Sequence, residues 1–101
     1  MLEQQYPALW QFFGAYLHQD WREEYESTDA ALRDFVSGNP DLGVELQDEL
    51  QQVLTTTPDD VLDELIGNLG SFFVPSSAGQ TPRDWLLGLQ DQAQLLARDR
   101  G

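Results

Sequence analysis

Apolar residues recur at three- and four-residue spacing along most of the chain, the period of an amphipathic helix rather than the alternation of a half-buried strand. The first series, Leu9, Phe12, Phe13, Tyr16 and Leu17, follows Pro7, which suits a first helical position, and predicts a helix ending near His18 to Asp20. A second passes through Leu32, Phe35 and Val36, with Ser27 or Thr28 as its cap and Gly38 as its stop. The third opens at Asn39-Pro40-Asp41, which pairs a capping side chain with proline and an acid favoured by the helix dipole, and continues through Leu42, Leu46, Leu50, Val53 and Leu54.

Two later starts share one pattern. Thr57-Pro58-Asp59-Asp60 and Thr81-Pro82-Arg83-Asp84 each set a capping Thr before proline, with a carboxylate at the third position. The fourth helix then buries Val61, Leu62, Leu65, Ile66 and Leu69 and stops at Gly70, and the fifth presents Trp85, Leu86, Leu89, Ala93 and Leu96. Between them, Ser71-Phe72-Phe73-Val74-Pro75 reads as one short extended segment before a Ser76 to Gln80 loop, and a lone strand does not change the fold class. The expected architecture is all-α: residues 1–101 form one compact domain of about five helices, with the aromatic first helix near the centre. A chain of 101 residues has little scaffold for a deep active site. In the first helix, Trp10 and Phe12 flank the main stripe, so apolar side chains occupy more than one face; burial on two sides is the stronger reading, and one of these rings at the surface is the alternative.

Charge changes this picture more than composition does. Eighteen Asp and Glu stand against five Arg and no Lys, for a formal charge of −13, so nucleic acid and anionic membrane are not expected partners. No basic residue lies between Arg33 and Arg83. On the polar side of the third helix Asp41, Glu45, Asp48 and Glu49 recur with no cation to pair, a face suited to steering a basic partner. The candidate contact residues are therefore Glu45, Asp48, Glu49, Asp63 and Glu64, expected outward on the third and fourth helices. Asp20, Glu23, Glu24 and Glu26 form a second candidate patch. Asp41, Asp59 and Asp60 are assigned in part to helix starts.

Other chemistry is sparse. Without Cys there is no disulfide, thiolate nucleophile or cysteine-ligated metal. The first residues carry Glu3 and no positive region, and no apolar run approaches the roughly 18 residues of a membrane span, so a cytoplasmic protein without signal peptide is expected. Asp59-Asp60-Val61-Leu62-Asp63-Glu64 looks superficially like a metal-binding run, but first-turn acids after a Thr-Pro start complement the dipole, and that reading is the stronger. His18, the only histidine, has Asp20 two residues on, a pair to consider for acid–base chemistry. An imidazole closing an aromatic helix is the stronger reading here too. No catalytic residue, cofactor or metal ligand is assigned.

The run Tyr6-Pro7-Ala8-Leu9-Trp10-Gln11-Phe12-Phe13-Gly14-Ala15-Tyr16-Leu17-His18-Gln19-Asp20-Trp21 resembles the opening signature of the immunity proteins of bacterial contact-dependent growth inhibition systems. Gly70 before an aromatic pair, Pro75, and Thr81-Pro82-Arg83-Asp84-Trp85-Leu86 extend the resemblance over nearly the whole chain. It implies a cytoplasmic inhibitor, expected to be monomeric, that binds the C-terminal toxin domain of a cognate secreted effector. Many such toxins are nucleases, and a nuclease is basic where it meets phosphate, so an acidic inhibitor can cover that surface. The resemblance carries over no binding site residue by residue. Two other classes stand beside it: a small hydrolase or metal-dependent enzyme centred on His18 and Asp20, and an acidic adaptor or nucleic-acid mimic without a toxin partner.

Overall fold

A computed structural model of the chain describes residues 2–100, apart from the side chains of residues 77, 78, 99 and 100. Seven α-helices and one 3-10 turn are present among the described residues, and no strand. In chain order they are α1 (Leu2–Gln5), α2 (Pro7–Tyr16), α3 (Trp21–Glu24), α4 (Thr28–Gly38), α5 (Pro40–Thr56), α6 (Asp59–Asn68), the 3-10 turn Pro75–Ala78, and α7 (Pro82–Arg100). The five expected helices are α2, α4, α5, α6 and α7. The other two are single four-residue turns, too short to show a hydrophobic period.

Helix α7 lies against α5, α4 and α6, while α2 crosses α5 and α4. A Cα radius of gyration of 12.4 Å is close to the ~13 Å of a compact chain of about 100 residues. The apolar stripes converge on one core. Leu9, Phe12 and Phe13 of α2, Leu32 and Phe35 of α4, Leu46 and Leu50 of α5, Leu62 of α6, and Leu86 and Leu89 of α7 are all buried. Rings run through it as a continuous series, from Tyr25 to Tyr16, Phe35, Phe12, Phe13, Trp85, Phe73 and Trp21, with neighbouring centroids 5.0–6.2 Å apart. Such stacked, tilted and edge-on pairs add to the stabilisation that burial of each ring gives. The indole N–H of Trp85 is satisfied in this setting by donating to Thr28 Oγ1 at 3.1 Å.

Most predicted boundaries hold, and each departure has a local cause. Ser27 caps α4 by accepting from the Ala30 amide, and Thr81 Oγ1 accepts from the Asp84 amide at the start of α7. Asn39 turns the other way: its Nδ2 donates to Phe35 O, closing α4 instead of capping α5. At α6 the cap position is Pro58 rather than Thr57, and no side chain caps it. Helix α2 ends at Tyr16, short of His18, because Leu17 leaves helical geometry and its carbonyl accepts the Phe72 amide instead. Val61, expected in the core, is 39% exposed at the outer side of α6.

The loop after α6 turns at Gly70, which meets α2 at Gly14. Gly70 has φ +109°, a left-handed conformation that glycine takes without steric cost. A Cβ built on it would lie 3.4 Å from Gly14 Cα, so the loop crosses α2 where neither strand of chain carries a side chain. Beyond the crossing, the chain from Ser71 to Val74 runs outside regular secondary structure, and its two rings part: Phe73 enters the core and Phe72 stays 61% exposed.

Candidate partner-binding surface

Glu45 and Asp48 lie one turn apart on α5 and are exposed, as are Asp63 and Glu64 on α6. Neither pair has a salt-bridge partner among the described residues. The second patch, Asp20, Glu23, Glu24 and Glu26, is exposed around the single turn of α3. The acids thus form separate groups on successive elements, and α5 and α6 do show carboxylates outward.

Glu49 is the exception. Expected on the exposed face of α5, it is 8% exposed, and its carboxylate accepts from the Ala8 amide at 3.1 Å and the Leu9 amide at 2.9 Å. Tyr6, the cap residue of α2, offers no side-chain hydrogen bond to that helix, so the free amides at its start are met from another helix. Burial pushes the Glu49 carboxyl above its ordinary value, the two amides pull it down, and the neighbouring charges of Glu45 and Asp48 add to the rise. The reason for the correction is geometric. Glu49 falls on the edge of the α5 face that meets α2, so its carboxylate is occupied inside the fold and leaves the candidate contact set.

Arginine is likewise committed to the fold where it borders the base-free stretch. Arg83 pairs with Asp59 and donates to Leu54 O at 3.0 Å and Thr57 O at 3.2 Å, tying the end of α5 and the start of α6 to α7. Asp59 is therefore neutralised locally, as a first-turn acid at a helix start. Arg22 lies over the Trp21 ring, 5.4 Å from its centroid.

His18 is half-buried. Its Nδ1 accepts from the Asp20 backbone amide at 3.1 Å and its Nε2 lies 3.3 Å from Glu24 Oε2. The contact with Asp20 is thus made through that residue's amide, and both ring nitrogens are engaged forward, around the α3 turn, so His18 does not close α2, where the Leu17 amide donates to Phe13 O. Among the described residues no group of three or more His, Asp or Glu is placed to hold a metal ion. The Tyr25 hydroxyl donates to Asp34, and that bond, with burial and the Asp34 charge, pushes the phenol above its ordinary value.

The apolar surface is distinctive as well. Trp10 is 38% exposed while Phe12 is fully buried, so α2 is not covered on both sides and the weaker alternative, one ring at the surface, holds for Trp10. Trp10 lines a shallow groove of 740 Å³ with Glu3, Pro7, Gly14 and Ala15. Phe72 was not singled out from the sequence. The signal for it is the pair Phe72-Phe73 in a non-helical segment, where successive side chains point to opposite sides.

Together these features define an acidic, all-helical protein whose distinctive chemistry is displayed on its outer surface. A family profile described as CdiI immunity protein matches residues 5–93, and the chain belongs to that family, one of toxin-neutralising immunity proteins. No curated protein and no solved structure matches it. No helix among the described residues is long and apolar enough to cross a membrane.

Proposed function

We propose that this protein acts in the cytoplasm by binding, one to one, the C-terminal toxin domain of its cognate contact-dependent growth inhibition effector, and that it covers a basic active-site or substrate-binding surface, such as that of a nuclease. The observation that carries this reading is the set of exposed carboxylates without cations in a chain of net charge −13, within a family of immunity proteins. A surface of one sign raises the rate at which an oppositely charged partner arrives and disfavours wrong partners. A nuclease concentrates positive charge where phosphate binds, so the groups that recognise its substrate also recognise this inhibitor. Glu45, Asp48, Asp63 and Glu64 are the proposed steering residues, with Asp20, Glu23, Glu24 and Glu26 as a second acidic approach.

The test is co-expression with the toxin domain encoded immediately upstream of this chain. Cells carrying both are expected to grow and to yield a stoichiometric complex; continued killing in the presence of the folded protein refutes the proposal. Replacing Glu45 and Asp48 with Lys is expected to slow association about tenfold while leaving the fold intact, because both side chains are exposed. An unchanged association rate moves the acidic contact to another face.

A further inference from the structure

Building on the reading above, we infer that the centre of the toxin interface is the aromatic strip formed by Trp10 and Phe72 across the Gly14–Gly70 crossing, with the acidic residues at its rim. Three observations meet there. Trp10 and Phe72 are large rings left 38% and 61% exposed in a protein that buries Phe12, Phe13, Phe35, Phe73 and Trp85. The chain brings their segments together: Trp10 and Gly14 share a groove on α2, the Gly70 backbone rests on Gly14, and Phe72 follows two residues further on. The Phe72 ring is also anchored on both sides along the chain, by its own amide donating to Leu17 O at 2.9 Å and by Phe73 locked between Trp21 and Trp85.

That anchoring separates a binding group from a stray apolar residue. A ring held in place by its backbone loses little freedom when it enters a partner's pocket, so more of its burial appears as affinity. Interfaces concentrate their energy in central aromatic anchors surrounded by a polar rim. The rim here is acidic. Glu3 lines the Trp10 groove, and Glu64 shares a second groove with Leu2 and Gln5 of the α1 turn that carries Glu3. Asp20 lies three residues beyond the carbonyl that holds Phe72.

Charge also selects the occupant. A second copy of the chain would bring −13 against −13, whereas a basic toxin face with an apolar cleft at its middle satisfies rim and centre together. The partner is therefore the toxin domain, engaged by shape at Trp10 and Phe72 and by charge around them.

The experiment measures binding kinetics of the purified full chain with the upstream-encoded toxin domain, with circular dichroism melting as a control for folding. Phe72→Ala is expected to speed dissociation at least about tenfold with association changed less than about threefold, and Phe72→Leu to retain most of the affinity. Gly14→Gln supplies an independent arm: a Cβ at Gly14 meets nothing within 4 Å, so the added side chain occupies the open groove that Gly14 lines with Trp10 and is expected to weaken binding without destabilising the fold. If both Phe72→Ala and Gly14→Gln bind like the natural chain, the strip is not the interface, and neutralisation by another face still stands. If the natural chain neither binds nor protects, both readings fall. Self-association in sedimentation that disappears with Phe72→Ala would assign the strip to a second copy and overturn the inference.

Discussion

Helices α2 and α7 both begin with proline, and both must find acceptors for amides that no helical carbonyl reaches. At α7 the solution is local: Thr81, three residues before Asp84, accepts its amide. At α2 the acceptor is Glu49, separated by 41 residues from Ala8 and 40 from Leu9, and it reaches the helix only once α5 is docked. One start is built by the segment itself, the other by tertiary structure. The difference teaches where the fold concentrates its cooperativity: α7 can begin without help, whereas α2, the helix that carries Phe12, Phe13 and Trp10, is completed by a buried carboxylate from a neighbour.

Substitutions can break this contrast. Glu49→Ala leaves two buried amides unpaired and opens space between α2 and α5, and it is expected to cost about 2–4 kcal/mol in denaturant unfolding. Arg83→Met removes donors from Leu54 O and Thr57 O along with the Asp59 pair, with an expected loss of about 1–2 kcal/mol in the same assay. Thr81→Ala removes a single exposed cap, for about 1 kcal/mol. If Thr81→Ala proves as costly as Glu49→Ala, the distinction between a local and a tertiary start is wrong.

The smallest effect sharpens the contrast through pH. Because the folded state raises the Glu49 carboxyl above its ordinary 4.5, the fold holds that proton more tightly than the unfolded chain does. The contribution of Glu49 is thus most favourable below pH 4.5 and declines as pH rises through the raised folded value. Glu49→Gln lacks this slope, so the stability of the natural chain relative to Glu49→Gln is expected to fall with rising pH over that interval, read as paired unfolding curves. A difference that grows with pH would mean that the two amide bonds outweigh burial. No local cap should behave this way, and Thr81→Ala is expected to differ from the natural chain by the same amount throughout.

What was legible in the sequence follows the same division. The period of three and four residues places α2, α4, α5, α6 and α7, because each stripe is a property of one segment. Ser27 and Thr81 act as caps because a hydroxyl three residues ahead of an amide needs nothing else. Asn39 was legible as a capping residue but not in its direction, since a side chain between two helices can serve either end. Glu49 reads as surface because its spacing matches Glu45 and Asp48, and only the docking of α2 distinguishes it. The family signature from Tyr6 to Trp21 was legible, yet it mixes core rings with the exposed Trp10. Phe72 is held outside the core through its amide on Leu17 O, a contact between distant parts of the chain that no local pattern contains.

The base-free stretch between Arg33 and Arg83 has one more consequence, for ionic strength. Exposed carboxylates without cations between them repel one another, and added salt screens that repulsion over a distance of about 8 Å at 0.15 M. The same ions screen the attraction that draws in a basic partner. Salt therefore acts on the isolated protein and on its association in opposite senses, raising the melting temperature of the free chain while slowing its capture of a basic domain.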